Sequence, residues 1–194
     1  MTAVNRPERA RRMPRAQRRE QILDAATRTF ARTGFAATGL ADIAAAAGVT
    51  HVILYRHFAS KTELYRAVLD RACLRLDDSV GTDDFDEDTL PALLRAAAAD
   101  PDGFRLLFRH AAREPEFRDV IDSISAESTA IADRHLAAAI PPGPWRDWAS
   151  RVVPAFTLDA VIAWLDGGCP DPAHAAERIQ LAVQGIIEAA ARAD

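Results

Sequence analysis

The sequence predicts an all-α fold of about nine helices, with a small N-terminal helix-turn-helix head and a larger helical body. Almost half of the 194 residues are hydrophobic and only 7% are aromatic. Much of the apolar content is alanine, which favours helix. Apolar residues also recur at three- and four-residue steps between the turn signals, which is the spacing of one helical face.

The segment 38–61 carries the signal of the head. Ala44 offers a small side chain where two helices would cross, and Gly48 enters the left-handed region that a tight turn needs. Val49 and Leu54 would bury the inner face of the second helix. Its outward face would hold Thr50, His51, Val52, Ile53, Tyr55 and Arg56. Such a face lies in the major groove of DNA in helix-turn-helix proteins, although the Ala-x3-Gly-x5-Leu pattern alone fits an ordinary helical hairpin equally well.

Two longer runs distinguish these alternatives. They read Gly34-Phe35-x-x-Thr38-x-x-x-Asp42-Ile43-Ala44-x-x-Ala47-Gly48-Val49 and Leu54-Tyr55-Arg56-His57-Phe58-x-Ser60-Lys61-x-Glu63-Leu64. Together they resemble the signature of the tetracycline-repressor (TetR) family of transcriptional regulators, over about residues 17 to 69. The composition of residues 1–15 predicts a disordered arm. The resemblance implies a DNA-binding head at 16–60 and an effector-binding and dimerisation body at 61–194, with the fourth helix as the link. Beyond residue 76 the match is architectural only.

The charge of the chain is divided between its two ends. Residues 1–76 hold 14 Lys and Arg against 6 Asp and Glu, whereas residues 77–194 hold 10 against 22. A basic front and an acidic rear suit a protein that meets a polyanion at one end only. Chance clustering of solvated charge is the alternative, and the coincidence of the basic part with the helix-turn-helix disfavours it.

The predicted DNA contacts follow from this head. His51 is the best reader of a base edge, because a ring nitrogen reaches a purine N7 or O6. Thr50 is either an N-cap or a phosphate contact, and Arg56 binds phosphate or forms a surface ion pair. Thr38 offers a hydroxyl to a phosphate near the start of helix 2. By resemblance to the family, Tyr55, His57 and Lys61 contact the DNA backbone.

The N-terminal arm adds a second source of positive charge. It holds Arg6, Arg9, Arg11, Arg12 and Arg15, with two prolines and almost no large apolar side chain. Such a segment is expected to be disordered in the free protein. It is either a solvated tail or an arm that tracks phosphates, with Arg11, Arg12 and Arg15 nearest the head. Since Val52 and Ile53 leave the recognition helix short of hydrogen-bonding groups, we expect the arm to supply much of the affinity.

Periodicity and turn signals place the helices. The predicted spans are 16–33, 39–47, 50–57, 61–76, 89–99, 104–113, 116–139, 145–165 and 172–192. Gly34 ends the first helix as a C-terminal cap. An acidic linker is expected between 77 and 88, and Asp100-Pro-Asp-Gly103 is expected to be a break. Pro154 falls inside the eighth helix and should kink or split it.

The resemblance also implies a ligand pocket between helices 4 and 8 and a dimer built from helices 8 and 9. Candidate pocket residues are Phe104, Leu107, Phe108, His110, Phe117, Trp148 and Phe156. Such a wall predicts a hydrophobic or aromatic effector. Candidate dimer residues are Val152, Trp164, Ile179, Val183, Ile186 and Ile187. For both sets the alternative is ordinary intramolecular core. A two-fold dimer would read a near-palindromic operator.

The sequence disfavours other classes of protein. It has no Gly-x-Ser-x-Gly, no phosphate-cradling glycine loop, and no cluster of metal ligands at a recognised spacing, so we expect no enzyme, no cofactor and no metal. Cys73 and Cys169 suit a reducing cytoplasm. We expect no apolar run near 18 residues and hence no membrane span. A helix-turn-helix protein without an effector, or an activator rather than a repressor, stays open.

Overall fold

The computed structural model describes residues 13–81 and 85–192, and within them the chain forms nine α-helices. The helices are α1 (Arg15–Ala37), α2 (Leu40–Ala46), α3 (His51–Tyr55), α4 (Lys61–Val80), α5 (Thr89–Ala99), α6 (Pro101–Arg105), α7 (Arg118–Leu136), α8 (Pro144–Asp166) and α9 (Ala175–Ala191). Strand is absent from both described ranges. The all-α prediction is confirmed.

The start of each head helix is set by local hydrogen bonds. Thr50 caps α3, since its hydroxyl accepts a bond from Ile53 N at 3.3 Å. Ser60 and Glu63 form a variant of the capping box at α4. Ser60 Oγ accepts a bond from Glu63 N at 3.0 Å, and the Glu63 carboxylate accepts one from Ala59 N at 2.7 Å. At α2 only half of such a box exists. Asp42 accepts from Gly39 N at 3.0 Å, but glycine has no side chain to return the bond.

Two predicted helix spans were wrong, and one predicted break was confirmed in part. Helix α4 continues to Val80, so the first residues of the expected acidic linker are helical. The expected break at 100–103 is confirmed at Asp100, which lies between α5 and α6, whereas Pro101, Asp102 and Gly103 are helical. Asp100 caps α6 by accepting from Gly103 N at 3.0 Å, and Pro101 occupies the first turn, where its missing N–H costs nothing. The expected helix 104–113 is divided between α6, a π-helical turn at Leu106–His110 and a 3-10 turn at Ala111–Arg113.

Head and body share one hydrophobic core. Residues of α1 to α4 pack with Leu106, Leu107 and Ala111, and with Phe117 beyond them. Phe117 lies 4.6 Å from Tyr65 and 5.1 Å from Phe35 between ring centroids. A separate core joins α5, α6, α8 and α9. The head is therefore anchored on the body through α1 and the N-terminal half of α4.

Helix α8 is long and apolar. Pro154 lies inside it, but the helix runs unbroken over 23 residues, so Pro154 does not split it. By length and composition α8 is the one helix in the described ranges that could cross a membrane, which corrects the expectation that no run approaches 18 residues. Such a helix is weak support for a span, because core helices of soluble proteins pass the same test. Here α8 packs against α7 and α9.

Candidate nucleic-acid interface and cavity

The turn of the helix-turn-helix has the predicted geometry. Gly48 adopts φ +62°, the left-handed conformation that glycine reaches without strain. Val49 N donates to Ala44 O at 2.9 Å and closes the turn. Ala44 is 3% exposed and Leu54 is fully buried. These contacts fix α3 across α2 and determine which face of α3 meets solvent.

The exposed face of α3 holds most of the residues expected there. Thr50, His51, Val52, Tyr55 and Arg56 are all exposed. Tyr55 is 51% exposed, and its ring centroid lies 5.7 Å from that of His51. The Arg56 guanidinium makes no ion pair with any described residue. The face therefore presents an imidazole, a phenol, a hydroxyl and a free cation to solvent.

Arginines of α1 stand beside this face. Burial, with the charges of Arg15, Arg19 and Arg18, lowers the pKa of His57 below its usual 6.5. All three arginines lie in the first two turns of α1, and their charges act on this imidazole. Arg15 is exposed at the first residue of α1, whereas Arg11 and Arg12 lie outside the described residues. The guanidinium of Arg19 stacks 4.7 Å above the Phe58 ring, which fixes its direction.

Two of the predicted phosphate contacts are corrected. Thr38 is only 2% exposed, and its hydroxyl donates to Gly34 O at 2.6 Å, so a phosphate cannot reach it. The Lys61 ammonium is also engaged. It donates to the carbonyls of Phe35, Ala36 and Thr38 at 2.9, 3.4 and 3.1 Å. Lys61 thus caps the carbonyl end of α1 and joins it to α4.

Two polar side chains that the sequence did not single out hold the head together. Gln21 donates to Ala47 O at 2.8 Å and so joins α1 to the end of α2. Arg71 on α4 reaches α1, with bonds of 2.7 Å to Asp24 and 2.8 Å to Thr27 Oγ1. Neither has a local sequence signal, because each partner lies 26 or more residues away.

The body contains a cavity of about 280 Å³. Its wall combines residues of α4, α5, α7, α8 and α9 with the turn before α5. The apolar part of the wall consists of Leu76, Val80, Leu90, Leu93, Phe108, Ile124, Ile131, Val153, Leu158 and Val183. A concave, mostly apolar wall of this size suits a compact small molecule.

Of the predicted pocket residues, Phe108 lines this cavity. Phe104 and Leu107 border a separate, open groove of about 410 Å³ between α4, α5 and α6. The other four predicted residues line neither of these two spaces: His110, Phe117, Trp148 and Phe156. Phe117 is instead the aromatic contact between head and body, and Trp148 packs edge-on against Trp145 at the start of α8.

The sequence model of the family of bacterial regulatory proteins called the tetR family matches residues 22–68. This range extends from within α1 to the middle of α4. The head of the chain belongs to the TetR family. The matched region includes the turn, the recognition helix α3 and the capping box of α4 described above.

Sequence relatives match over part of the chain. The chain is 51% identical over 63 residues to the transcriptional activator FasR of Mycolicibacterium smegmatis, across 32% of this chain and 29% of FasR. It is 38% identical over 89 residues to the transcriptional repressor SCO4008 of Streptomyces coelicolor, across 45% of this chain and 46% of that protein. The matches therefore span less than half the length of these relatives.

The fold of the whole chain has solved counterparts. A TetR-like transcriptional regulator from Rhodococcus sp. RHA1 aligns with a TM-score of 0.74 over 87% of this chain and 94% of its own. The sequence identity is 23%, so this likeness concerns the fold. It shows that the helices described for head and body follow the arrangement of a TetR protein.

The residues predicted for a TetR-type dimer divide into two groups. Trp164 and Ile179 pack against the core of α5, α8 and α9, Ile187 packs against Leu136 and its neighbours, and Val183 lines the cavity. These four have intramolecular contacts, as the core alternative predicted. Val152 and Ile186 are half-buried. Leu181 of α9, which was not predicted, is 67% exposed. Parts of α8 and the middle of α9 therefore leave apolar surface uncovered in the single chain.

Proposed function

We propose that this TetR protein is a cytoplasmic, sequence-specific DNA-binding regulator that loses operator affinity when a small apolar molecule occupies its body. One observation carries the proposal. The face of α3 presents His51, Tyr55 and Arg56 to solvent beside the arginines of α1, while Leu54 is fully buried behind it. Such a face matches the major groove in shape and the phosphates in charge.

Footprinting on the DNA that flanks the gene tests sequence-specific DNA binding. We expect protection of a near-palindrome whose half-sites lie about one helical turn apart, roughly 10 base pairs. His51→Ala should weaken binding to this operator more than binding to random DNA, because His51 is placed to read bases. His174→Ala, an exposed histidine of the body, is the matched control and should leave both unchanged. Absence of any protected site would contradict the proposal.

We further propose that the N-terminal arm supplies much of the affinity. The exposed face of α3 contains Val52, which is 62% exposed and offers no hydrogen bond. Removal of residues 1–15 behind a new initiator Met should weaken operator binding strongly. It should also flatten the dependence of log affinity on log salt, by about 0.9 for each phosphate that the arm neutralises. Unchanged affinity and slope would show that the arm, including Arg11 and Arg12, is a solvated tail.

A homodimer would place two heads on one operator. Uncovered apolar surface on α8 and α9 supports this arrangement, and Leu181 is its most exposed residue. Leu181→Arg should therefore yield monomers in analytical ultracentrifugation and weaken operator binding. Leu74→Arg is the matched control, since Leu74 is 63% exposed but lies on α4. A dimer that survives Leu181→Arg, Val152→Arg and Ile186→Arg would exclude this surface.

Helix α4 connects the cavity with the head. Cys73, Leu76 and Val80 contribute to the cavity wall, whereas Arg71, earlier on the same helix, binds α1. A ligand that prefers one position of α4 will therefore shift the spacing of the heads by its differential affinity for the two positions. Thermal-shift screening of apolar molecules, followed by release from the footprinted operator, tests this coupling.

Two alternatives remain distinct proposals. A regulator without an effector would show no release by any ligand that stabilises the protein. An activator would raise transcription from a reporter that carries the footprinted operator, whereas a repressor would lower it. FasR is described as an activator and SCO4008 as a repressor. The reporter assay therefore decides between activation and repression for this protein.

A further inference from the structure

The rim of the body cavity is acidic. Asp77 of α4, Asp86 and Glu87 before α5, and Glu127 of α7 all belong to its lining. No Lys, Arg or His occurs among the described residues that line it. Four acidic residues from three parts of the chain therefore line one cavity, and its other described lining residues are apolar or uncharged.

Most of these carboxylates lack the neutralising partners found elsewhere in the body. Asp166 binds Arg105 and Arg109, and Asp133 binds Arg146. By contrast, Asp77, Glu87 and Glu127 form no ion pair and no side-chain hydrogen bond with other described residues. Asp86 accepts bonds from Asp88 N and Thr89 Oγ1 but meets no described cation.

The surroundings of Asp77 also disfavour its charged form. Burial and the neighbouring charge of Asp78 raise the pKa of the Asp77 carboxyl above its usual value. A bound cation would relieve both effects, since it supplies the opposite charge that the rim lacks. A bound anion would add to the repulsion.

We propose that the effector of this cavity is a compact amphiphilic cation, with an apolar or aromatic body on Phe108, Leu158 and Ile131 and a positive head between Asp77 and Glu127. This assignment rests on the proposed effector function of the body and names the chemical class of ligand. The volume of about 280 Å³ lies at the small end of ligand pockets, which favours one or two rings over a long chain.

Calorimetry with three probes that share one apolar body tests the charge preference on the full-length protein. The probes are 5-phenylpentyltrimethylammonium, neutral 5-phenylpentan-1-ol and anionic 6-phenylhexanoate. The ammonium compound should bind about tenfold more tightly than the alcohol, and the carboxylate should bind most weakly, since each exposed charge contact is worth a few-fold in affinity. Equal affinity for the three probes, tighter binding of the anion, or no binding at all would overturn the inference.

Variants locate the site. Asp77→Asn with Glu127→Gln should reduce the affinity for the ammonium probe about tenfold, to that of the alcohol, and leave the alcohol unchanged. Asp122→Asn is the matched control, because Asp122 is an exposed carboxylate of the same helix α7 outside the cavity. Leu158→Trp should fill the cavity and abolish all binding. An ammonium preference that survives the double substitution would place the cation elsewhere and refute the assignment.

Operator release, measured on the same preparations, separates the two proposals. If the alcohol or the carboxylate binds best and releases the operator, the regulatory proposal stands and the cation inference fails. If the ammonium probe binds with the expected preference but the operator stays bound, the chemical assignment stands and the coupling of cavity to head fails.

Discussion

The head and the body of this protein are packed in different ways. In the head, Ile43 and Leu54 are fully buried, and short-range bonds from Thr50, Ser60 and Glu63 set the helix starts. In the body, α8 and α9 have only half-buried apolar faces over much of their length, and their junction with α4 and α7 encloses a cavity. A closely packed head thus sits on a body that contains a cavity and uncovered apolar surface.

The largest expected difference between the two regions is the cost of removing a leucine. Leu54→Ala should lower the free energy of unfolding by about 3 to 4 kcal/mol, because it opens a void in a close-packed core. Leu158→Ala at the cavity wall should cost about 1 kcal/mol, because that side chain is half-buried and already borders empty space. Urea denaturation followed by circular dichroism measures both. Equal losses would show that the body is packed as tightly as the head.

The same difference explains what the sequence revealed. Gly48, Ala44 and Leu54 act within a dozen residues of one another, so their spacing predicted the turn, the buried face and the exposed face of α3. The clamps made by Gln21, Lys61 and Arg71 were not predictable, because each reaches a partner more than 20 residues away. The cavity wall draws on five helices, and spacing along one helix cannot distinguish Phe108, which lines it, from Phe117, which does not.

The alkylation rate of Cys73, which lines the cavity, measures how accessible the cavity wall is to solvent. Burial, with the charges of Asp77 and Asp70, raises the pKa of its thiol to about 11. Only the thiolate is alkylated, so at pH 8 Cys73 should react with iodoacetamide about 100-fold more slowly than a free cysteine. Mass spectrometry of a Cys169→Ser variant isolates the reaction, and the urea-unfolded protein provides the control rate. A rate in the folded protein equal to that control would show that the cavity wall opens freely to solvent.

Replacing Lys61 tests whether this cation of the head stabilises the fold or contacts DNA. Lys61→Met removes three hydrogen bonds to carbonyl groups, and we expect a loss of about 2 kcal/mol in the free energy of unfolding. Arg32→Met, at an exposed position of α1 without a described ion pair, should cost less than about 0.5 kcal/mol. Urea denaturation again measures both. If Lys61→Met instead left stability unchanged and reduced the salt dependence of operator binding, Lys61 would be a phosphate contact after all.

The smallest effect concerns the pH dependence of operator binding. In the free protein the pKa of His57 is lowered by burial and by three arginines, and phosphates that neutralise those arginines would raise it. The complex then binds more protons than the free protein, so affinity should rise about threefold as pH falls from about 7.5 to about 6. His57→Gln should flatten this dependence, whereas His174→Gln in the body should preserve it.

The stability of the fold shows the opposite trend, because the lowered pKa of His57 makes the folded state bind fewer protons than the unfolded state. Stability therefore falls as pH drops below about 6.5, and the measurement must stay where the protein remains folded. Equal slopes for the wild type and His57→Gln would place His57 away from the DNA backbone and restrict the reading surface to the exposed side of α3.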